Sequence, residues 1–104
     1  MSAPLTEQEF SEHVNTKFRL NLETPEPVEL ELVEVKTYVN KDKPGERGGM
    51  ERFSVFFRGP LNAFLRQATY SLSHEKMGSF DIFLVPLARE EKGFSYEAVF
   101  NYLK

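Results

Sequence analysis

The stretch "FSVFFRGPLNAFL", Phe53 to Leu65, decides the fold. Phe53, Val55 and Phe57 alternate with polar or opposite-facing neighbours, as the period of two in a β-strand requires. Phe56 points the other way, so this strand is apolar on both faces. The pattern then breaks at Arg58-Gly59-Pro60. Gly permits a bend and Pro fixes the exit, so the break reads as a corner where the sheet turns. Pro60 suits a first helical position, and Leu61, Phe64 and Leu65 follow at helical spacing. One helical turn there, plugging the end of the sheet, is the expectation. Free N–H groups at such a turn, with Arg58 and Arg66 nearby, also make an anion site physically conceivable. The structural reading is the stronger one.

Working back from Phe53, "NKDKPGERGGM" (Asn40 to Met50) is polar and Gly-rich and reads as a mobile hairpin loop. Lys41, Lys43 and Arg47 give it positive character. Before it, "PEPVELELVEVKTYV" starts with Val28, Leu30 and Leu32 against Glu29 and Glu31. Leu32 and Val33 are then adjacent, and the alternation resumes one residue out of phase. A bulge near Leu32-Val33 is therefore predicted. "KFRLNL" places Phe18, Leu20 and Leu22 on one face. At the start of the chain, Thr6 and Glu9 form a capping box, and Leu5 and Phe10 occupy the hydrophobic-staple positions of a short helix. Phe10 and Val14 share a face, and Asn15 suits a left-handed residue ending the helix.

Working forward, "ATYSLSH", "SFDIFLVPL" and "FSYEAVFNYL" are strands separated by short turns at "EKMG" and "AREEKG". Ile82 to Val85 is apolar without interruption, so this strand too is expected to be covered on both faces. The helix would cover one face and a second subunit more. The fold class is α+β, mostly β. A short N-terminal helix precedes a curled antiparallel sheet, or small barrel-like meander, of about six strands. With 104 residues the chain, 1–104, is a single domain.

Composition narrows function. The hydrophobic and charged fractions, 40% and 28%, suit a globular domain. There is no cysteine, which removes disulfides, thiol nucleophiles and Cys-type zinc sites. A net charge of −3 argues against a nucleic-acid partner. No apolar run is long enough for a spanning helix and no signal-peptide pattern opens the chain, so the expectation is a cytoplasmic protein with no membrane partner.

The chemistry-bearing residues form no recognised constellation. His13 follows Glu9 by four and reads as a half-exposed helical His paired with that Glu. His74 ends a strand beside Glu75, with Asp81 further on, but matches no zinc or calcium spacing. Glu29 and Glu31 lie on one strand face, as a glycosidase pair would, yet nothing apolar on that face would pull their pKa values apart. No nucleophile elbow and no phosphate loop occurs. No catalytic, metal or cofactor residue is assigned, and no cofactor is expected.

"LTEQEFSEHVNTKFRL", "FSVFFRGP", "QATYSLSHEKMGSFDIFLVP" and "YEAVFN" together resemble a family of short, functionally uncharacterised bacterial proteins. The resemblance extends over almost the whole chain. The shared marks are Phe53 to Pro60, Gln67 to His74, Gly78 to Pro86 and Tyr96 to Asn101. Asn15 stands where the family often has Gly, and the loop from Asn40 to Met50 looks longer than usual. The resemblance implies a structural or assembly role of the phage-tail or collar type and supplies no activity.

The favoured reading is a non-enzymatic structural or protein-interaction module, a component or accessory of a phage-tail-like assembly. It would self-associate or dock a protein partner through Phe56, Phe83, Arg58 and Arg47, or along an exposed strand edge. One alternative is a small-molecule-binding β-barrel with Tyr38, Tyr70, Tyr96 and Tyr102 as polar handles. A hydrolase built on His74, Glu75 and Asp81 ranks third.

Overall fold

The computed structural model describes residues 7–21, 28–37 and 50–103. The elements are α1 (Glu7–Ser11), β1 (Lys17–Leu20), β2 (Val28–Thr37), β3 (Met50–Gly59), β4 (Ala68–His74), β5 (Gly78–Glu90) and β6 (Gly93–Leu103). All strand pairs are antiparallel, and the order β1-β2-β3-β6-β5-β4 closes on itself because β4 returns to β1. Chain order is kept within β1 to β3 and within β4 to β6. The two triplets join through β3 with β6, and through the short seam of β1 with β4, where Arg19 faces Ser73 and Leu20 faces Leu72.

The alternation seen in the sequence sorts side chains to the inside of this ring. Phe18, Leu20, Val28, Leu30, Leu32, Phe53, Val55, Phe57, Leu72, Ile82, Leu84, Tyr96 and Ala98 are buried there in one cluster. The predicted bulge is present, with a register shift between Leu32 and Glu34. Without it Val35 would turn outward. With it Val35 lies opposite Val55 and packs on the core. Leu32 also uses its backbone to hold the chain entering β1: Asn15 N–H donates to Leu32 C=O at 2.7 Å, and Leu32 N–H donates to Thr16 C=O at 3.1 Å. Asn15 has φ of 75°, the left-handed conformation expected of it. A second register shift, between Pro86 and Ala88, sets the proline of β5 at an irregularity, where a missing N–H does least harm.

Each end of the ring is stoppered by the chain's own connections. At one end α1 inserts Phe10, which is fully buried against Phe18, Phe53, Phe80 and Phe100 at ring-centre distances of 5.4–6.3 Å. The helix thus enters the interior instead of lying over an outer face, because its one fully apolar side chain fits the open end. At the other end the segment 60–67 crosses from β3 to β4 and buries Leu65. Leu65 N–H donates to the Tyr96 hydroxyl at 3.0 Å. Only a two-residue turn forms at Leu61-Asn62, so Leu61 and Phe64 stay exposed, and Leu65 alone of the three does the plugging. Phe64 packs its ring on Phe94 instead.

The break at Arg58-Gly59-Pro60 is a corner. A Cβ on Gly59 would lie 2.7 Å from Leu30 Cδ2 and 3.1 Å from Tyr96 Cε2. Gly59 also leaves room for Gly93, whose own Cβ would come within 2.2 Å of the Gly59 carbonyl oxygen. The capping residues Leu5 and Thr6, together with Leu22, Tyr38 and the loop from Asn40 to Gly49, lie outside the described residues.

Candidate functional site

Two places on the molecule bear on function. The first is the outer face of β5, β6 and β3. Register sets Val85 opposite Glu97, and Glu97 opposite Phe56, in one row across the three strands. Val99 lies opposite Ser54, one row along. Phe83 and Val99 are about half exposed, at 49% and 50%, and so is Leu87 at the β5 irregularity. Phe56 and Val85 are half-buried. The apolar side chains are thus neighbours on one face and not scattered singly, which is the arrangement that marks contact surfaces. A polar pair crosses this face: Ser54 is buried, and its hydroxyl donates to Glu97 Oε2 at 2.7 Å.

Of the four residues picked from sequence, Phe56 and Phe83 both point outward here. Arg58 follows Phe56 by two on the same side of β3 and donates to Glu31 Oε1 at 3.5 Å, a partly exposed ion pair. Arg47 lies outside the described residues. With Arg58 engaged and no helix beyond Pro60, the anion site conceived at this corner loses its frame. Glu29 is exposed and Glu31 pairs with Arg58, so the two carboxylates do not form a catalytic couple.

The second place is a groove of about 600 Å³ at the end of the ring beside α1, lined by His13, Thr16, Lys17, Arg19, Glu29, Ser73, His74, Glu75 and Lys76. His74 points inward from the last residue of β4 and is buried. Its Nδ1 accepts two backbone N–H groups of the following turn, from Lys76 at 2.9 Å and Met77 at 3.1 Å. An imidazole nitrogen that accepts carries no proton, so the ring is neutral and its proton is on Nε2. That N–H donates to Thr16 Oγ1 at 2.9 Å, and the Thr16 hydroxyl in turn donates to the His13 carbonyl. His13 Nδ1–H donates to the Glu9 carbonyl at 2.8 Å, not to the Glu9 carboxylate. The two imidazoles meet edge to face, 4.7 Å apart, and His74 also lies 4.3 Å from the Phe18 ring. Burial, then the neighbouring His13, push the His74 pKa below the ordinary imidazole value, with Glu75 opposing and Lys76 reinforcing the shift.

Sequence reasoning took the two histidines one at a time and missed their meeting. The available signal was position. A His immediately before a three-residue turn that is followed by Gly78 (φ 81°) can cap the turn's N–H groups, as an Asx side chain does. Asp81 does not join this cluster. It lies opposite Ser71 on the exposed side of β5 and does not line the groove. Among the described residues no three His, Cys, Asp or Glu side chains are grouped to hold a metal ion. Among them, too, no helix is long and apolar enough to cross a membrane.

Fold and site together define a small closed-sheet domain, stoppered at both ends by its own chain, with Phe83, Leu87 and Val99 exposed on one outer face and Leu61 and Phe64 exposed on the segment that closes one end. The chain belongs to the family described as a domain of unknown function, DUF6916, which it matches over residues 5–100. No curated protein and no solved structure matches it.

Proposed function

We propose that this protein is a non-enzymatic structural or protein-interaction module that works by self-association through the outer face of β3, β5 and β6. The observation that carries this reading is the cluster of Phe83, Val99 and Leu87, half exposed beside Phe56 and Val85. A half-exposed Phe has roughly 100 Å² of ring still in water, and covering it contributes about 2 kcal/mol. One such contact does not offset an association cost of roughly 4–15 kcal/mol, but several together on each partner do. The ligand-binding alternative has less support from the interior. Tyr96 is fully buried, and its hydroxyl is already bonded to the Leu65 amide. The family resemblance suggests the setting: a bacterial, phage-tail-like assembly in which this domain is a component or accessory.

Sedimentation velocity across a concentration series tests the reading. The wild-type protein is expected to associate as concentration rises. The double substitution F83S/V99S should abolish the shift while leaving the melting temperature within a few degrees, because both side chains point away from the core. A wild-type protein that stays monomeric over the whole series refutes self-association through this face.

A further inference from the structure

We propose that His74 is an acid-sensitive latch that holds the β1–β4 seam closed and keeps the α1 plug seated. The geometry supplies three arguments. First, both ring nitrogens are committed. Nδ1 accepts from Lys76 and Met77, and Nε2–H reaches Thr16. A second proton has nowhere to go except Nδ1, where it would meet two N–H donors and displace both. Second, the latch bridges the weakest part of the ring. The ladder of β1 with β4 has two residue pairs, Arg19 with Ser73 and Leu20 with Leu72, where β3 with β6 has ten. Beyond those two pairs the seam is held by the Asn21 N–H to Ser71 C=O bond, and by the Asn21 side chain bridging the Ser71 and Ser73 hydroxyls. Third, the latch is wired to the plug. The bonds run from the β4–β5 turn through His74 and Thr16 to the His13 carbonyl, and from the His13 ring to Glu9 in α1.

The charged and titratable groups around His74 come from each element packed on it: His13 after α1, Lys17 and Arg19 in β1, Glu29 in β2, and Glu75 and Lys76 in the turn. Burial opposes charging the ring most, followed by His13, while Glu75 favours it. The sign follows. In the opened state His74 titrates near the ordinary value of about 6.5, and in the closed state it resists protonation. Above that value neither state takes up the proton and the latch is at full strength. As pH falls from about 6.5 toward the lower value of the closed state, only the opened state binds a proton, so opening becomes easier by up to about tenfold per pH unit.

Amide hydrogen exchange between pH 7.5 and 5, corrected for intrinsic rates, tests the proposal on the intact chain. Protection of the Asn21, Lys76 and Met77 amides should fall by roughly tenfold per unit below pH 6.5, while amides in the β3–β6 ladder hold theirs. H74Q should flatten that dependence, whereas H13Q should keep it. Should H74Q fail to fold, nitrogen-15 shifts of the wild-type His74 ring decide the matter. They should report the Nε2–H form at neutral pH, with a titration that coincides with the loss of protection. Seam protection that is flat with pH, a dependence that survives H74Q or disappears in H13Q, or a ring titration out of step with opening would each overturn it.

Discussion

Replacing Phe10 by Ala separates a helix that merely precedes the sheet from one that completes its core. Phe10 is fully buried and is ringed by Phe18, Phe53, Phe80 and Phe100, the nearest at 5.4 Å. Large-to-small changes at such a site cost about 3–5 kcal/mol, from lost transfer energy and the cavity left behind. The five-residue helix can partly settle into the space, so the lower end, about 3 kcal/mol, is expected. For a domain of this length that lowers the melting temperature by at least about 12 °C. Urea denaturation followed by circular dichroism reads the change directly, since the chain has no Trp to report by fluorescence. If the helix detaches before the sheet unfolds, the denaturant slope should fall as well, because less surface remains to be exposed. F10L, which keeps most of the apolar volume, should recover the larger part of the loss. A cost below about 1 kcal/mol for F10A with an unchanged slope would refute the reasoning, since the end of the ring would then be closed without α1.

Four further substitutions test the other joints of the fold. G93A sets a Cβ 2.2 Å from the Gly59 carbonyl oxygen, a backbone atom, and should cost more than about 3 kcal/mol by thermal melting. G59A, whose nearest clash is the end of the Leu30 side chain at 2.7 Å, should cost less than G93A; the reverse order would contradict the packing at this corner. Y96F leaves the Leu65 N–H without its acceptor in a buried place and should cost about 1–3 kcal/mol in the same assay. Burial raises the Tyr96 pKa above the ordinary phenol value despite the Leu65 N–H, so wild-type stability should fall above about pH 10, where the unfolded chain ionises first. Y96F should remove that part of the loss, and denaturation midpoints from pH 8 to 11 show whether it does. R58A breaks only a 3.5 Å partly exposed pair with Glu31 and should cost less than about 1 kcal/mol; a larger loss would mean the pair does more than its exposure allows.

Much of the architecture was legible because it is local. The adjacent pair Leu32-Val33 revealed the bulge, since a strand with one buried face cannot change phase without an extra residue. Asn15 revealed the left-handed turn, and the split of Phe53, Val55 and Phe57 from Phe56 revealed which side chains face in. What stayed hidden depends on partners far apart in the chain. Strand spacing gives the number of strands but not their neighbours, and β3 pairs with β6 because segment 60–67 is long enough to cross the end of the ring. Leu61 and Phe64 kept helical spacing without a helix to use it, since two residues of turn were enough to round the corner. The His74 cluster was hidden for the same reason. Thr16 and His74 are 58 residues apart, and no period of two or of 3.6 brings them together.

Closure of the ring also limits the routes open to the proposed association. Every strand has a neighbour on both sides, so the strand-edge route to docking that the sequence left open is confined to the strand ends. At neutral pH the proposed contact then falls to side chains, and apart from Leu61 and Phe64 at the end of the ring the exposed apolar ones lie on β5 and β6, with Phe56 beside them. Opening the β1–β4 seam would change this by freeing two edges with unpaired N–H and C=O groups. The two surfaces are separable by experiment. Association through the face should respond to F83S/V99S and ignore pH. Association through freed edges should appear only below about pH 6.5, respond to H74Q and ignore the face substitutions. Association at neutral pH that survives F83S/V99S would belong to neither surface, and would show that half-exposed apolar side chains on β5 and β6 are not what this domain uses.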